Sequence, residues 1–389
     1  MVERLLVRNG IVILPGGPAA VDVLCEGGRI AAIGHDLPAE GARIVEARGL
    51  TVGPGFIDVH VHGGGGLSFF RSRPEQVAEY SDWAPRNGVT SYLVSTIGRD
   101  AEETTRIFAG LAPMVGRAGG AEPLGFHLEG PFINPKRMGA FHPNMLRLPD
   151  VAEFHRHQEA AGGAIRQVTL APELAGALEL IDAVGNSGAV PAMGHTDATV
   201  AEARIGFGRG IGHVTHLYNA MRPLHQREGG PSTAALLEDR LSCELICDGA
   251  HVAEDVLRMA YRVLGPSRTV VVTDNLHLAG TDLTGGQFGG QEISVEGAKA
   301  VRGDGTIVGS ISTMDIHFRN AISFLGIDLA TAFRLCSANP ARVAAAEARK
   351  GSIEIGKDAD FVLLDGALQV AATVCRGSVV FERPATGGQ

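Results

Sequence analysis

The feature that most constrains this chain is an alternation of two kinds of segment. Eight short apolar runs (FIDVHVH, SYLVST, LGFHLEG, RQVTLAPE, AVPAMGH, GHVTHLYN, SCELICDGAH and TVVVTDN) punctuate its middle. Between them lie stretches of helical periodicity, such as RPEQVAEYSDWAPRNG and DATVAEARIGFGRG. Near-continuous apolar strands alternating with helices predict a parallel sheet buried on both faces, and eight such units predict a closed (β/α)8 barrel. An open doubly wound sheet is the alternative, but no GxGxxG turn follows the first run to build a nucleotide crevice.

The two ends of the chain read differently. LLVRNGIVIL, AVDVLCEGGRIAAIG and ARIVEARG at the start, and GSIEIGKDADFVLLD and LQVAATVCRGSVVFE at the end, are short β-like runs broken by glycine turns. The predicted class is therefore an α/β, TIM-like barrel over residues 54–345, inserted into a small β-sandwich made by residues 1–53 and 346–389. A net charge of -9 argues against nucleic acid or an anionic membrane as the main partner, yet leaves room for a small anion held by a few local cations. The five cysteines (Cys25, Cys243, Cys247, Cys336 and Cys375) show no CxxC pair, so buried free thiols are expected. No signal-peptide layout or apolar stretch of membrane-spanning length is present, which makes the cytoplasm the expected location.

Ligand-type residues arrive at the C-terminal tips of most of these runs: His60 and His62, Glu129, His195, His216, His251 and Asp274. Barrel enzymes place their active sites at that end. His60 and His62 are two apart on a strand, so they share a face, and four glycines follow that let backbone pass close to a site. Glu129 ends an apolar strand before Gly-Pro, where a carboxylate needs a cation to offset its burial. With His195 and His216 it forms a two-imidazole, one-carboxylate set suited to catalytic zinc or iron. His127 reads equally as a support for that set or as a core histidine, and His213 as structural. Asp274 is a ligand, a helix cap, or the base that takes a proton from metal-activated water. No GxSxG elbow, cysteine–histidine pair or Walker loop offers another nucleophile.

In order along the chain, PGFIDVHVHG, HLEGPF, GHTDA, THLYNAM, DGAHV and VVTD resemble the N-acetylglucosamine-6-phosphate deacetylases of the amidohydrolase superfamily. The likeness covers nearly the whole chain and includes the less specific tail motif GSIEIGKDADFVLLD. It implies that Glu129, His195 and His216 bind a main divalent metal, zinc or iron, and that His60 and His62 allow a second ion. It further implies that Asp274 is the catalytic acid–base and that His142, in GAFHP, polarises the amide carbonyl. Substrate contacts are implied at Ala140, Asn219, Ala220, Arg227, His251, Ile307, Val308 and Gly309. In the family that arginine reaches across a homodimer into the neighbouring site. Two segments depart from the family pattern: Arg227-Glu228-Gly229-Gly230 has glycine where proline is common, and NLHLAGTDLTGGQFGG replaces a run of small residues.

The expected activity is hydrolysis of the acetamide of an N-acetylated amino sugar, with N-acetyl-D-glucosamine 6-phosphate first among substrates. Another N-acetylhexosamine, a cyclic amide, and a non-catalytic role in binding sugar phosphates are the alternatives. The related cyclic-amide enzymes usually carry a bridging lysine, which is not evident in these motifs.

Overall fold

The computed structural model describes residues 4–70, 73–96, 98–117 and 119–384. All eight apolar runs are strands, and each is followed by a helix. The barrel strands are Phe56–Val61, Val89–Thr96, Glu122–Glu129, Ile165–Leu170, Val190–Met193, His213–Val214, Ser242–Ile246 and Thr269–Val272. They pair in parallel, in sequence order. The first, second and third are buried along their whole length, which is why they read as apolar runs without alternation. The ring closes just beyond the last strand. Asp274 N donates to His60 O at 2.8 Å and His62 N donates to Asn275 O at 2.8 Å, so the seam of the barrel runs beside the strand-tip residues.

Local sequence explains where the helices begin. Val200–Arg209 starts at a capping box in which Thr199 and Glu202 satisfy each other's backbone N–H groups. Asp100 and Asp150 cap Ala101–Leu111 and Val151–Ala160 through the N–H of Glu103 and Glu153. Three of the four glycines after His62, Gly63, Gly64 and Gly65, serve packing. Gly63 and Gly64 form a two-residue ladder with Leu67 and Ser68. A Cβ on Gly63 would lie 2.0 Å from Leu67 O, and one on Gly64 would lie 2.6 Å from the Trp83 ring.

Both chain ends contribute to two further sheets. One holds four strands from residues 4–46, and the other is a six-stranded sheet in which Thr51–Pro54 pairs with Phe361–Leu364. Leu5, Val7, Val23 and Cys25 of the first pack with Val12, Val52, Phe361 and Val374 of the second in one apolar layer. All five cysteines are buried and free. A three-stranded meander over Gly285–Arg302 was not anticipated; it lies in the unusual segment after Asp274 and packs Phe288, Ile293 and Ala300 against Leu276 and Val308. No described helix is long and apolar enough to cross a membrane.

A buried ionic cluster ties the third barrel strand to the C-terminal segment. Lys350, 1% exposed, lies 3.0 Å from Glu122 and 3.1 Å from Asp358, and it also pairs with Asp360. Arg349 bonds Glu122 and Asp358. Burial works to raise the Glu122 carboxyl, but the Arg349 bond and the Lys350 charge outweigh it and bring it down to about 2. A carboxylate depressed in the folded state contributes stability above its unfolded pKa of about 4.3, and loses it as pH falls towards the folded value. Glu122→Gln is expected to cost about 3–5 kcal/mol at neutral pH, because it takes a carboxylate from buried Lys350. Urea midpoints should show the gap from wild type narrowing as pH drops from about 4.3 towards 2.

Candidate metal centre

The site is assembled from the ends of the first, third, fifth, sixth and eighth strands. His60, His62 and Asp274 bring one ligand atom each into one group, and Glu129, His195 and His216 into another, with atoms inside each group within 4.8 Å. All six side chains are buried. Glu129 joins the groups: its Oε1 lies 3.2 Å from His195 Nε2, 3.1 Å from His216 Nε2 and 3.4 Å from His60 Nε2, while its Oε2 lies 3.1 Å from His62 Nε2. Asp274 Oδ1 lies 3.4 Å from both His60 and His62 and completes the group they share. The backbone turns left-handed at His195 (φ 49), His216 (φ 28) and Asp274 (φ 52). Such strained backbone at non-glycine residues collects at functional sites, and here each turn lies just past the end of a strand.

The hydrogen bonds around these residues suit a metal. Three imidazoles donate their Nδ1–H away from the centre: His60 to Glu244 Oε2 at 2.8 Å, His62 to Ser95 O at 3.1 Å and His195 to Arg137 O at 2.8 Å. Those oxygens only accept, so in the neutral ring each Nε2 carries a lone pair. The three lone pairs face the carboxylates of Glu129 and Asp274, which have no proton to offer. His60 Nε2 has no hydrogen-bond partner. Lone pairs opposed to carboxylates are unfavourable alone and become ligands once a cation lies between them. The set fits one or two divalent ions, and the bridging carboxylate is a glutamate; among the described residues no lysine lines the cavity.

Without a cation, protons take that place. Burial opposes protonation of His60 and His62, but Glu244, Glu129 and Asp274 around His60, and Asp274 and Glu129 beside His62, outweigh it; both pKa values rise, that of His62 to about 9. Burial likewise pushes the Glu129 and Asp274 carboxyls up, while the imidazoles hold both below their ordinary range. Protons and a divalent ion therefore compete for the same atoms.

A cavity of about 270 Å³ opens over the centre, lined by five of the six ligand-type residues (His60 lies beneath) and by Gly139, Ala140, Phe141, Asn219, Ala220, His251, Phe288, Thr306, Ile307 and Gly309. His251 Nδ1 bonds Asp248 Oδ2 at 2.7 Å, which fixes its ring. Three expected contacts lie outside the lining. Val308 is fully buried in the apolar layer under the meander. His142 is exposed, and its Nδ1 accepts from Asn144 N at 3.2 Å. Arg227 is exposed on the loop before the helix Gly230–Leu236.

His127 resolves as a hydrogen-bonded core residue, between Ser95 Oγ at 2.9 Å and Thr169 Oγ1 at 2.8 Å, with its ring edge-on to His60. His213 is buried against Ser242 and Glu244. Sequence reasoning missed Glu244, Asp58 and Phe288. Asp58 shares the alternation Asp58, His60, His62 and accepts from Thr273 Oγ1, and burial raises it to about 7. Glu244 interrupts the apolar run SCELIC, the signal that exposed Glu129. Phe288 had no signal, since the meander that carries it was not foreseen.

The model of the amidohydrolase family matches residues 51–380. An N-acetylglucosamine-6-phosphate deacetylase from Bacillus subtilis (strain 168) is 37% identical over 332 residues, covering 84% of each chain. An N-acetylgalactosamine-6-phosphate deacetylase from Escherichia coli O157:H7 is 32% identical over 327 residues, covering 84% of this chain and 86% of that protein. The solved structure of a mutant N-acetyl-D-glucosamine-6-phosphate deacetylase from Mycobacterium smegmatis, in complex with N-acetyl-D-glucosamine-6-phosphate, superposes with a TM-score of 0.90. It is 35% identical and covers 97% of this chain and 99% of that one. Matched along this much of its length, and carrying its ligand-type residues at the mouth of the same barrel, the chain belongs to the amidohydrolase family.

Proposed function

We propose that this protein hydrolyses the acetamide of N-acetyl-D-glucosamine 6-phosphate to D-glucosamine 6-phosphate and acetate. The observation that carries the reading is the Glu129-bridged pair of ligand groups, one of them including Asp274, on the floor of a cavity sized for one sugar. Zinc or iron bound there supplies Lewis acidity, polarising an amide carbonyl and making water acidic enough to lose a proton near neutral pH. The Asp274 carboxylate takes that proton as water adds to the carbonyl carbon. When the carbon–nitrogen bond breaks, the same carboxyl returns the proton to nitrogen, so the amine leaves neutral with acetic acid, whose remaining proton passes to the amine in water to give acetate and the ammonium form.

Around this step the chain binds and orients. Ala140, Asn219, Ala220, His251, Ile307 and Gly309 line the space for the sugar. His142 follows Phe141, a lining residue, and the family likeness gives its imidazole the role of polarising the carbonyl. Among the described residues, the cavity lining holds no arginine or lysine, yet a phosphate dianion calls for a strong cation. Exposed Arg227 supports a homodimer in which it serves the neighbouring cavity, and Leu224, on the same loop, is 55% exposed. A glutamate bridge, with no lysine in the lining, speaks against the cyclic-amide alternative. The cytoplasm remains the proposed location.

Acetate release should favour N-acetylglucosamine 6-phosphate over its unphosphorylated parent and over the galacto epimer. Asp274→Asn should lower kcat by about 10²–10⁴-fold with the fold intact. Equal turnover in that variant would remove Asp274 from the chemistry, and no release from any of these sugars by metal-loaded protein would end the deacetylase reading. Arg227→Ala should raise KM for the phosphorylated sugar about 10-fold or more while leaving the parent sugar unchanged, as expected for a charge-assisted phosphate contact.

A further inference from the structure

We propose that Glu244 is the positioning residue of the metal centre: its carboxylate holds His60 with the proton on Nδ1, and so governs whether the His60, His62 and Asp274 group takes an ion. The inference rests on reading the two groups as metal-binding, and it extends that reading to a residue that touches neither substrate nor ion.

Glu244 lies in the seventh barrel strand between apolar neighbours and is 0% exposed. Four donors converge on it from three other strands or their ends. Its Oε2 accepts from His60 Nδ1 at 2.8 Å and from His216 N at 2.9 Å. Its Oε1 accepts from His213 Nε2 at 3.0 Å and Gln167 Nε2 at 2.9 Å. A carboxyl occupied by four N–H groups has no lone pair to spare for a proton, so it acts as a fixed acceptor. That fixes the His60 tautomer and aims its unpartnered Nε2 at Glu129 and Asp274. Remove the acceptor, and His60 is free to carry its proton on Nε2, pointing N–H at the place an ion would occupy.

The dependence is unequal between the groups. His195 is fixed by Arg137 O, so the Glu129, His195 and His216 group owes to Glu244 only a backbone bond at His216. The other group owes it the orientation of a ligand. Loss of Glu244 function is therefore expected to empty the second group first.

The test is metal content per subunit, by elemental analysis, after equilibration at a series of fixed free Zn²⁺ concentrations. Glu244→Leu keeps a side chain of similar size and removes the acceptor from His60 Nδ1. The variant is expected to hold one ion where wild type holds two, the second weakened about 10- to 100-fold and the first unchanged. His213→Asn removes another Glu244 partner and should retain both ions. If the leucine variant does not fold, Glu244→Asp, which keeps the charge but shortens its reach, should show the same selective loss. Two ions bound as in wild type, loss of both ions together, or loss of an ion in His213→Asn would each overturn the proposal. So would a wild-type protein that saturates at one ion; failure of the deacetylase reading would appear separately, as absent acetate release.

Discussion

Glu129 is a carboxylate buried at 3% exposure among four imidazoles, and much of the molecule exists to make that arrangement tolerable. An isolated buried charge is prohibitively costly unless it is paired or bound to metal. Here the partners come from distant parts of the chain: His60 and His62 from the first strand, His195 after the fifth and His216 after the sixth. Only a closed barrel delivers those tips to one point, and the seam that closes it is made by the same residues, through Asp274 N to His60 O and His62 N to Asn275 O. Closure of the fold and assembly of the site are one set of hydrogen bonds.

Beneath the ligands runs a polar layer inside an otherwise apolar barrel: Ser95, His127, Thr169, Gln167, Thr215, His213 and Glu244 bond one another across neighbouring strands. Nearly every polar atom in it has a partner, as burial at low dielectric demands. Such a layer fixes tautomers, and tautomers decide which histidine nitrogen faces the centre. The left-handed backbone at His195, His216 and Asp274 is a local strain that this over-determined surrounding sustains.

Much of this was legible in the sequence. Strand order, the barrel and the pairing of the chain ends followed from period and length, because fully buried strands leave uninterrupted apolar runs and ligands punctuate their tips. His60, His62, Glu129, His195, His216 and Asp274 stood out because charge at the end of an apolar run has no other inexpensive explanation. What lay hidden depended on three-dimensional partners. Glu244 looks like a lone charge until His60 and Gln167, far away in sequence, are brought to it. The glycines after His62 suggested approach to a ligand, whereas the clashes they avoid are with Leu67 and Trp83. Val308 sits within a motif whose neighbours Ile307 and Gly309 line the cavity, but the alternation of the chain turns it into the apolar layer.

The central claim is that Glu129 joins two metal-binding groups at the mouth of the barrel. Its most direct test is anomalous diffraction from crystals of the purified protein equilibrated with Zn²⁺, with data on either side of the zinc edge. One anomalous peak within the Glu129, His195 and His216 group and a second within the His60, His62 and Asp274 group are expected, with Glu129 between them. Zinc found only elsewhere on the protein, or no ordered zinc at these residues, would contradict it.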